Sequence, residues 1–420
     1  MFPPQIPRIF DNAARRVEES RAPRPIRFIP FSSLLMPKIF PLLCALLLAL
    51  SPAAFAYGPI GHQIVGAIAD EKLANTAAGE QVKTLLDGLT LEKASVIPDE
   101  IKGWDKKGAD DPNIFHYSSR PKIDAQLRDF WRANQPTHDL NSAAPSHHWF
   151  HYTDVPVDHP EKYAGGEAGR SKWDIVHMIG YCVDVLQGRI PEENDRKITK
   201  PIAIILLAHY VGDIHQPLHV GAEYFDKDGH TRDPGQEKSA LGDEGGNTVE
   251  LRLTGDPTSG PLPHTKKMHG FWDLDTVNAL LPPVPETMHK EERYALIDPA
   301  KEKLAHEMAA LEPKTWRLPS GVELRRSGEA WADEILPIAR EAHDRLVFKN
   351  VRALQQQDRV VATGEAEEKP VKDGPDYKDW AAKVVREELH KAGWRLADLL
   401  TQSLAPTPTP SSSPKSSDRK

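Results

Sequence analysis

The segment His209-Tyr-Val-Gly-Asp213-Ile-His215-Gln-Pro217-Leu-His219 brings several groups able to bind metal or move protons into one short stretch. His209 and Asp213 lie four residues apart, so on a helix both face one side. That spacing lets an imidazole and a carboxylate share one metal or serve neighbouring ones. Pro217 stops the helix and turns His219 elsewhere. The apolar run Ile204-Ile205-Leu206-Leu207 leads into the cluster. Charged groups buried at the end of such a helix are costly unless paired, hydrogen-bonded or metal-bound. A hydrogen-bonded core and a metal centre both meet that condition. His269 and Asp273 repeat the same spacing. His147 and His148 stand just before Trp149-Phe150-His151-Tyr152. Val96-Ile97-Pro98-Asp99-Glu100-Ile101-Lys102 sets an acid after a proline and a base three residues on. Tyr57-Gly58-Pro59-Ile60-Gly61-His62 is the fifth element. The chain has 18 His, none before position 62, and clustering at this density points to metal or acid–base chemistry.

Helices must position most of these groups. Ile60 to Asp70 repeats apolar residues at helical spacing, and Pro201 to His215 reads as an apolar helix opened by proline. Trp331 to Phe348 and Lys378 to Leu400 read as amphipathic helices. Thr248 to Leu253 alternates and predicts a short strand or hairpin arm after Gly245-Gly246-Asn247. Gly229 to Leu241 and Gly364 to Asp376 predict surface loops. The fold class expected is mainly α, a single domain with a small β-hairpin.

A chain of 420 residues that is 39% hydrophobic can build a real core, so wholesale disorder is excluded. Two cysteines, Cys44 and Cys182, exclude a disulfide scaffold. No apolar stretch reaches the roughly 18 residues that a membrane-spanning helix needs, so no stable membrane association is expected. Residues 36–56 carry a charged start, an apolar run from Ile39 to Leu50 and Ala54-x-Ala56, the pattern of an export signal cut before Tyr57. Leu43 before Cys44 does not suit a lipid anchor, and Met36 is an alternative start. The expected organisation is 1–56 as extension and signal, 57–402 as the folded unit and 403–420 as a disordered tail. The net charge of −8 becomes −12 for residues 57–420, because 1–56 holds seven basic and three acidic residues. That balance argues against a diffuse basic groove for nucleic acid.

Together the five elements resemble the S1/P1 nucleases, secreted zinc-dependent enzymes that cleave single-stranded DNA and RNA and remove 3′-phosphates from nucleotides. The matching residues are Tyr57 and His62, Asp99, His151-Tyr152, His209/Asp213/His219, Gly245-Gly246-Asn247, and His269/Trp272-Asp273, in the family's order and spacing. Trp331-Ala332-Asp333-Glu334 and Ala392-Gly393-Trp394-Arg395-Leu396-Ala397 are similar to its closing helices.

The resemblance implies a phospholipase C/P1 nuclease fold and three Zn²⁺ per chain. Asp99, His151, His209 and Asp213 would hold the first. His219, His269 and Asp273 would hold the second. The main-chain amine and carbonyl of Tyr57, with His62, would hold the third, and Asp213 would bridge it to the first. Asp99 and Lys102 would act in catalysis, and Lys102 and Asn247 would meet substrate. Tyr57 stands where the family usually has Trp, a tolerable change for main-chain ligands. Lys102 stands where the family often has Arg, and it brings charge without a bidentate fork. The eukaryotic members' disulfides cannot form here, which implies a bacterial-type, secreted or periplasmic member. A monomer is expected. Phe150, Tyr152 and Phe271 are candidates for an aromatic wall that seats a base. Six positive charges from three Zn²⁺ would reverse the acidic balance locally. Two rivals remain at this level. A zinc-dependent phospholipase C shares the fold but typically has Glu at the Asp273 position. A non-catalytic envelope metal-binding protein would need fewer ligands.

Overall fold

Thirteen consecutive buried residues, Pro201 to Asp213, form the centre of the molecule. The computed structural model describes residues 57–135, 146–158, 162–254, 266–285, 287–356 and 359–406. Residues 1–56, expected as extension and signal, and residues 407–420 of the expected tail lie outside the described residues. The central helix runs over Lys200–Asp213; the Thr199 side chain caps it by accepting from the Ile202 N–H. A helix apolar all round is stable only when wrapped by others. Ile175–Leu186, Gly58–Leu73 and Tyr377–Ser403 pack against it, and Lys290–Ala310 and Ser327–Asp344 pack behind them. The fold is mainly α, as the sequence predicts.

The first helix crosses its neighbours at glycines. A Cβ on Gly66 would lie 2.5 Å from the Leu91 carbonyl oxygen and 2.6 Å from the Glu92 backbone nitrogen. Asp70 on the same helix accepts from the backbone N–H groups of Leu91 and Glu92 at 2.9 and 3.0 Å, locking that approach. On an exposed helix Gly→Ala stabilises by about 1 kcal/mol. At Gly66 the contact is with backbone that cannot yield, so Gly66→Ala is expected to destabilise by about 1–3 kcal/mol. Denaturant unfolding checks the sign; a gain in stability would refute the close crossing.

The β structure exceeds the single small hairpin expected. A four-stranded sheet has the order Lys266–Lys267, Val249–Arg252, Arg359–Glu368, Leu346–Gln356. Val249–Arg252 pairs parallel to Arg359–Glu368, with Val249 opposite Gly364. Two expectations are corrected here. The helix expected to reach Phe348 stops at Asp344, and Leu346 starts an 11-residue strand. Gly364 to Glu368, expected as loop, completes the second arm of the hairpin. Leu346 and Phe348 continue an apolar pattern that a helix would share, so periodicity alone does not separate the two. Gly364 sits in a strand because its hypothetical Cβ would lie 2.9 Å from the Lys349 carbonyl oxygen, beside a register shift between Lys349 and Arg352. The closing helix, expected over Lys378–Leu400, runs over Tyr377–Ser403, with Ser403 and Leu404 buried.

Among the described residues no helix is long and apolar enough to cross a membrane.

Candidate metal centre

Short turns bring the predicted residues to the end of the central helix. Ile97–Glu100 carries Asp99, and the turn Ile101–Lys106 carries Lys102. The turn His147–His151 ends on His151. Val155–Pro156, just after it, pairs parallel with Gly221–Ala222, just after His219. The Thr153 N–H also donates to the His219 carbonyl at 2.9 Å. That two-strand clip fixes His151 beside His219. His269 and Asp273 lie where the helix Met268–Gly270 passes into a π-helical turn, Phe271–Asp275, a conformation common at functional sites. His62 projects from the first helix onto the bare backbone of Gly212, where a Cβ would come within 2.8 Å of its Nδ1. Its ring stacks on His209, centroids 3.8 Å apart.

All eight predicted side chains converge, and each is buried: His62, Asp99, His151, His209, Asp213, His219, His269 and Asp273. Asp213 is the hub. Its Oδ1 lies 3.2 Å from His62 Nε2. Its Oδ2 lies 3.0 Å from His151 Nδ1 and 3.2 Å from His209 Nε2. Asp99 Oδ1 approaches His209 and His151 at 3.7 and 3.8 Å. His219, His269 and Asp273 form their own group, with the two Nε2 atoms 3.0 Å apart.

Backbone carbonyls set the tautomers. A carbonyl only accepts, so the facing imidazole nitrogen must donate. His209 Nδ1 donates to Ser95 O at 2.6 Å, His219 Nδ1 to His151 O at 2.7 Å, and His269 Nδ1 to Gly245 O at 2.8 Å. Each Nε2 then carries a lone pair aimed into the cluster, the arrangement metal-binding imidazoles adopt. Gly245, at φ +58°, leaves the room for this, since a Cβ there would lie 2.1 Å from the Leu218 carbonyl oxygen.

The donor set fits a divalent cation. Both ring nitrogens of His62, Asp213 Oδ1 and Asp273 Oδ2 are buried with no hydrogen-bond partner, and each such group is costly unless something else satisfies it. Burial lowers the imidazoles of His62, His151 and His219, and brings His269 down to about 3. Metal binding needs neutral imidazoles, so burial prepares them. Burial also lowers His209, but Asp213 and Asp99 outweigh it and hold that ring above its ordinary value. Burial raises the Asp213 carboxyl, yet His209 and His151 outweigh it and hold it well below the carboxylate range. Burial pushes Asp273 well above it, opposed by a hydrogen bond from Gln216 Nε2 at 2.8 Å.

The remaining predicted residues are placed as follows. Tyr57 is fully buried in a left-handed conformation, with φ 42°. Its backbone N–H is directed at Asp273, and its hydroxyl donates to the His215 carbonyl at 2.5 Å. Lys102 Nζ lies 2.7 Å from Asp99 Oδ1. Asn247 Nδ2 donates to the Glu244 carbonyl at 3.0 Å and so serves its own turn. Phe150 and Phe271 are core residues, 0% and 2% exposed, and cannot seat a base; Tyr152 is half-buried. The exposed aromatic near the Asp99 turn is Phe115, 57% exposed, its carbonyl held by Trp104 Nε1 at 3.0 Å. No spacing rule points to it.

His215 is not in the cluster. Its Nδ1 donates to Val211 O at 2.6 Å, and Arg395 Nη1 donates to its Nε2 at 2.8 Å. Arg395, buried on the closing helix, thereby ties that helix to the segment under Tyr57. Another buried pair, His343 and Asp243 at 3.1 Å, supports the sheet. Burial lowers His343, but Asp243 outweighs it and raises the ring to about 9. Burial raises the neighbouring Glu223 to about 8. The folded-state value of His343 exceeds its unfolded one, so the stability its pairing adds is complete below about pH 6.5 and is lost as pH rises through about 9, while the cost of ionising the buried Glu223 builds from about pH 4.5 to 8 and acts in the same direction. The melting temperature is expected to fall between about pH 6.5 and 9, and less so in His343→Gln. A wild-type curve that is flat over this window would refute the pairing.

The family model "S1/P1 Nuclease" matches residues 57–405. Endonuclease 1 of Arabidopsis thaliana is 28% identical over 142 residues, covering 31% of this chain and 38% of that protein. Endonuclease 2 of the same plant is 24% identical over 272 residues, covering 64% and 71%. Endonuclease 4 is 34% identical over 79 residues, covering 19% and 18%. The alignments with Endonuclease 1 and Endonuclease 4 therefore span well under two thirds of those proteins. The family match starts at Tyr57 and takes in every turn that feeds the Asp213 hub, and on that ground the chain belongs to the S1/P1 nuclease family.

Proposed function

We propose that this protein is a zinc-dependent phosphodiesterase that cuts single-stranded DNA and RNA to 5′-phosphorylated products and removes 3′-phosphates from nucleotides. The observation that carries the reading is the two-sided Asp213 carboxylate, one oxygen toward His62 and the other toward His151 and His209. A carboxylate so placed would be shared by two metal positions.

Asp99, His151, His209 and Asp213 would hold one zinc, and His219, His269 and Asp273 a second. The Tyr57 main chain and His62 would hold a third, with Asp213 shared. Bound zinc supplies Lewis-acid polarisation of phosphate and an activated water near neutral pH. The protein's own part is orientation. Three carbonyls hold the imidazole tautomers, Gln216 holds Asp273, and Asp99 holds the Lys102 ammonium where a non-bridging phosphate oxygen can meet it. The ligands are recessed, so a splayed single strand reaches them more readily than a stacked duplex. Export with cleavage before Tyr57 would free the amine that the third position needs, and the folded unit from Tyr57 onward would act as a monomer.

Side-by-side assays of single-stranded DNA, RNA, a 3′-nucleotide and phosphatidylcholine test the proposal. Chelator-sensitive cleavage of the nucleic acids is expected. Lipid turnover without nuclease activity would establish a phospholipase instead, and metal uptake with no phosphoester cut would establish a binding protein.

A further inference from the structure

The same two turns that carry Lys102 and His151 carry a second His/Asp group. Asp105 Oδ1 lies 3.2 Å from His147 Nε2, and Asp105 Oδ2 lies 2.5 Å from His148 Nε2. One donor atom from each residue lies within 4.8 Å of the other two. None of the three belongs to the ligand sets proposed above.

Two of the three are fixed in place. Trp131 Nε1 donates to Asp105 Oδ1 at 2.8 Å. His147 is 1% exposed, and its backbone N–H donates to Asn134 O at 2.9 Å. The Ser146 hydroxyl accepts from the His148 N–H at 3.2 Å, which orients the turn. The third side chain, His148, is 42% exposed and forms the open side. Burial brings His147 down to about 4, which keeps it neutral. Burial raises the Asp105 carboxyl, but hydrogen bonds from His147 and His148 outweigh it and keep it ionised. Both imidazoles face Asp105 through Nε2, so a bound metal would take the place of the protons they share with the carboxylate. Ligand atoms about 2.0–2.1 Å from one tetrahedral zinc stand roughly 3.3 Å apart, close to the Asp105–His147 separation of 3.2 Å.

We propose that Asp105, His147 and His148 form a separate divalent-metal site for a borderline cation such as Zn²⁺, with its remaining coordination positions open to solvent. Two imidazoles and one carboxylate favour zinc over Mg²⁺ or Ca²⁺, which prefer all-oxygen sets. With three protein ligands and an exposed face, the site holds its ion less tightly than the buried cluster.

The test measures zinc per chain in protein beginning at Tyr57, equilibrated across buffered free-zinc concentrations, for wild type, His148→Gln and Asp105→Asn. His148 is half-exposed, so its replacement does not threaten folding. At high free zinc the wild type is expected to bind one equivalent more than either variant; at low free zinc all three match. A tenfold excess of Mg²⁺ leaves the difference intact. The result is a difference, so it stands whatever the buried cluster holds and whether or not the nuclease proposal survives. Superimposable curves overturn the site, as does a loss in either variant of anything other than one equivalent.

Discussion

Asp213→Asn is expected to lower kcat/KM on single-stranded DNA by about a thousandfold or more, the equivalent of several kcal/mol of transition-state charge stabilisation. Asn keeps the shape of Asp and removes its charge. In the folded protein, Oδ1 faces His62 and Oδ2 faces His151 and His209. A neutral amide can offer one oxygen but cannot join two cationic positions, so metal content should fall along with rate. The loss is expected to be chemical and not structural. The helix Lys200–Asp213 is held by its apolar residues, and Asp213 lies at its last position. Far-UV circular dichroism should therefore be unchanged. Near-wild-type turnover would remove Asp213 from the centre.

The second large effect comes from the start of the folded unit. A protein beginning at Tyr57 presents a free α-amine, with an ordinary pKa of about 7.7–8.0 that a metal can deprotonate at neutral pH. A protein beginning with Met one residue earlier presents a peptide N–H there, which is a poor ligand. Tyr57 is fully buried, and its backbone N–H is directed at Asp273, so the amine of a chain starting there would lie at the edge of the cluster. The extended form is expected to lose one zinc equivalent and about a hundredfold or more in rate, as removal of one Lewis acid would require. Purified forms with defined N-termini, assayed for zinc and for DNA cleavage, check this. Equal activity of the two would show that the amine is not a ligand.

Local spacing made part of this centre legible. His209 and Asp213 share a helix face by their spacing alone, and Pro217 explains why His219 departs from it. His269 and Asp273 repeat the spacing, although the π-helical turn through Phe271–Asp275 is invisible in a count of four. Asp99, His151 and His62 come from separate segments, and no periodicity links them; the family resemblance brought them together, and the fold places them there. What remained illegible depends on contacts far apart in the chain. Asp105 meets His147 and His148 only because two turns about forty residues apart lie side by side. Arg395 reaches His215 across the closing helix. The long hairpin escaped because Leu346 to Phe348 extends a helical apolar pattern, and the stretch from Gly364 to Glu368 looks like loop until Gly364 and Ala366 are seen buried on the sheet. The acidic charge of the chain also reads differently once the site is seen. Part of that negative charge is Asp99 and Asp213, buried among imidazoles and suited to hold cations.

The most direct test of the central claim is the zinc content of protein beginning at Tyr57, dialysed against zinc-free buffer, read beside its cleavage of single-stranded DNA. Three equivalents per chain, with activity lost on chelation and restored by zinc, is the predicted result. A fully active protein with no bound zinc would contradict it.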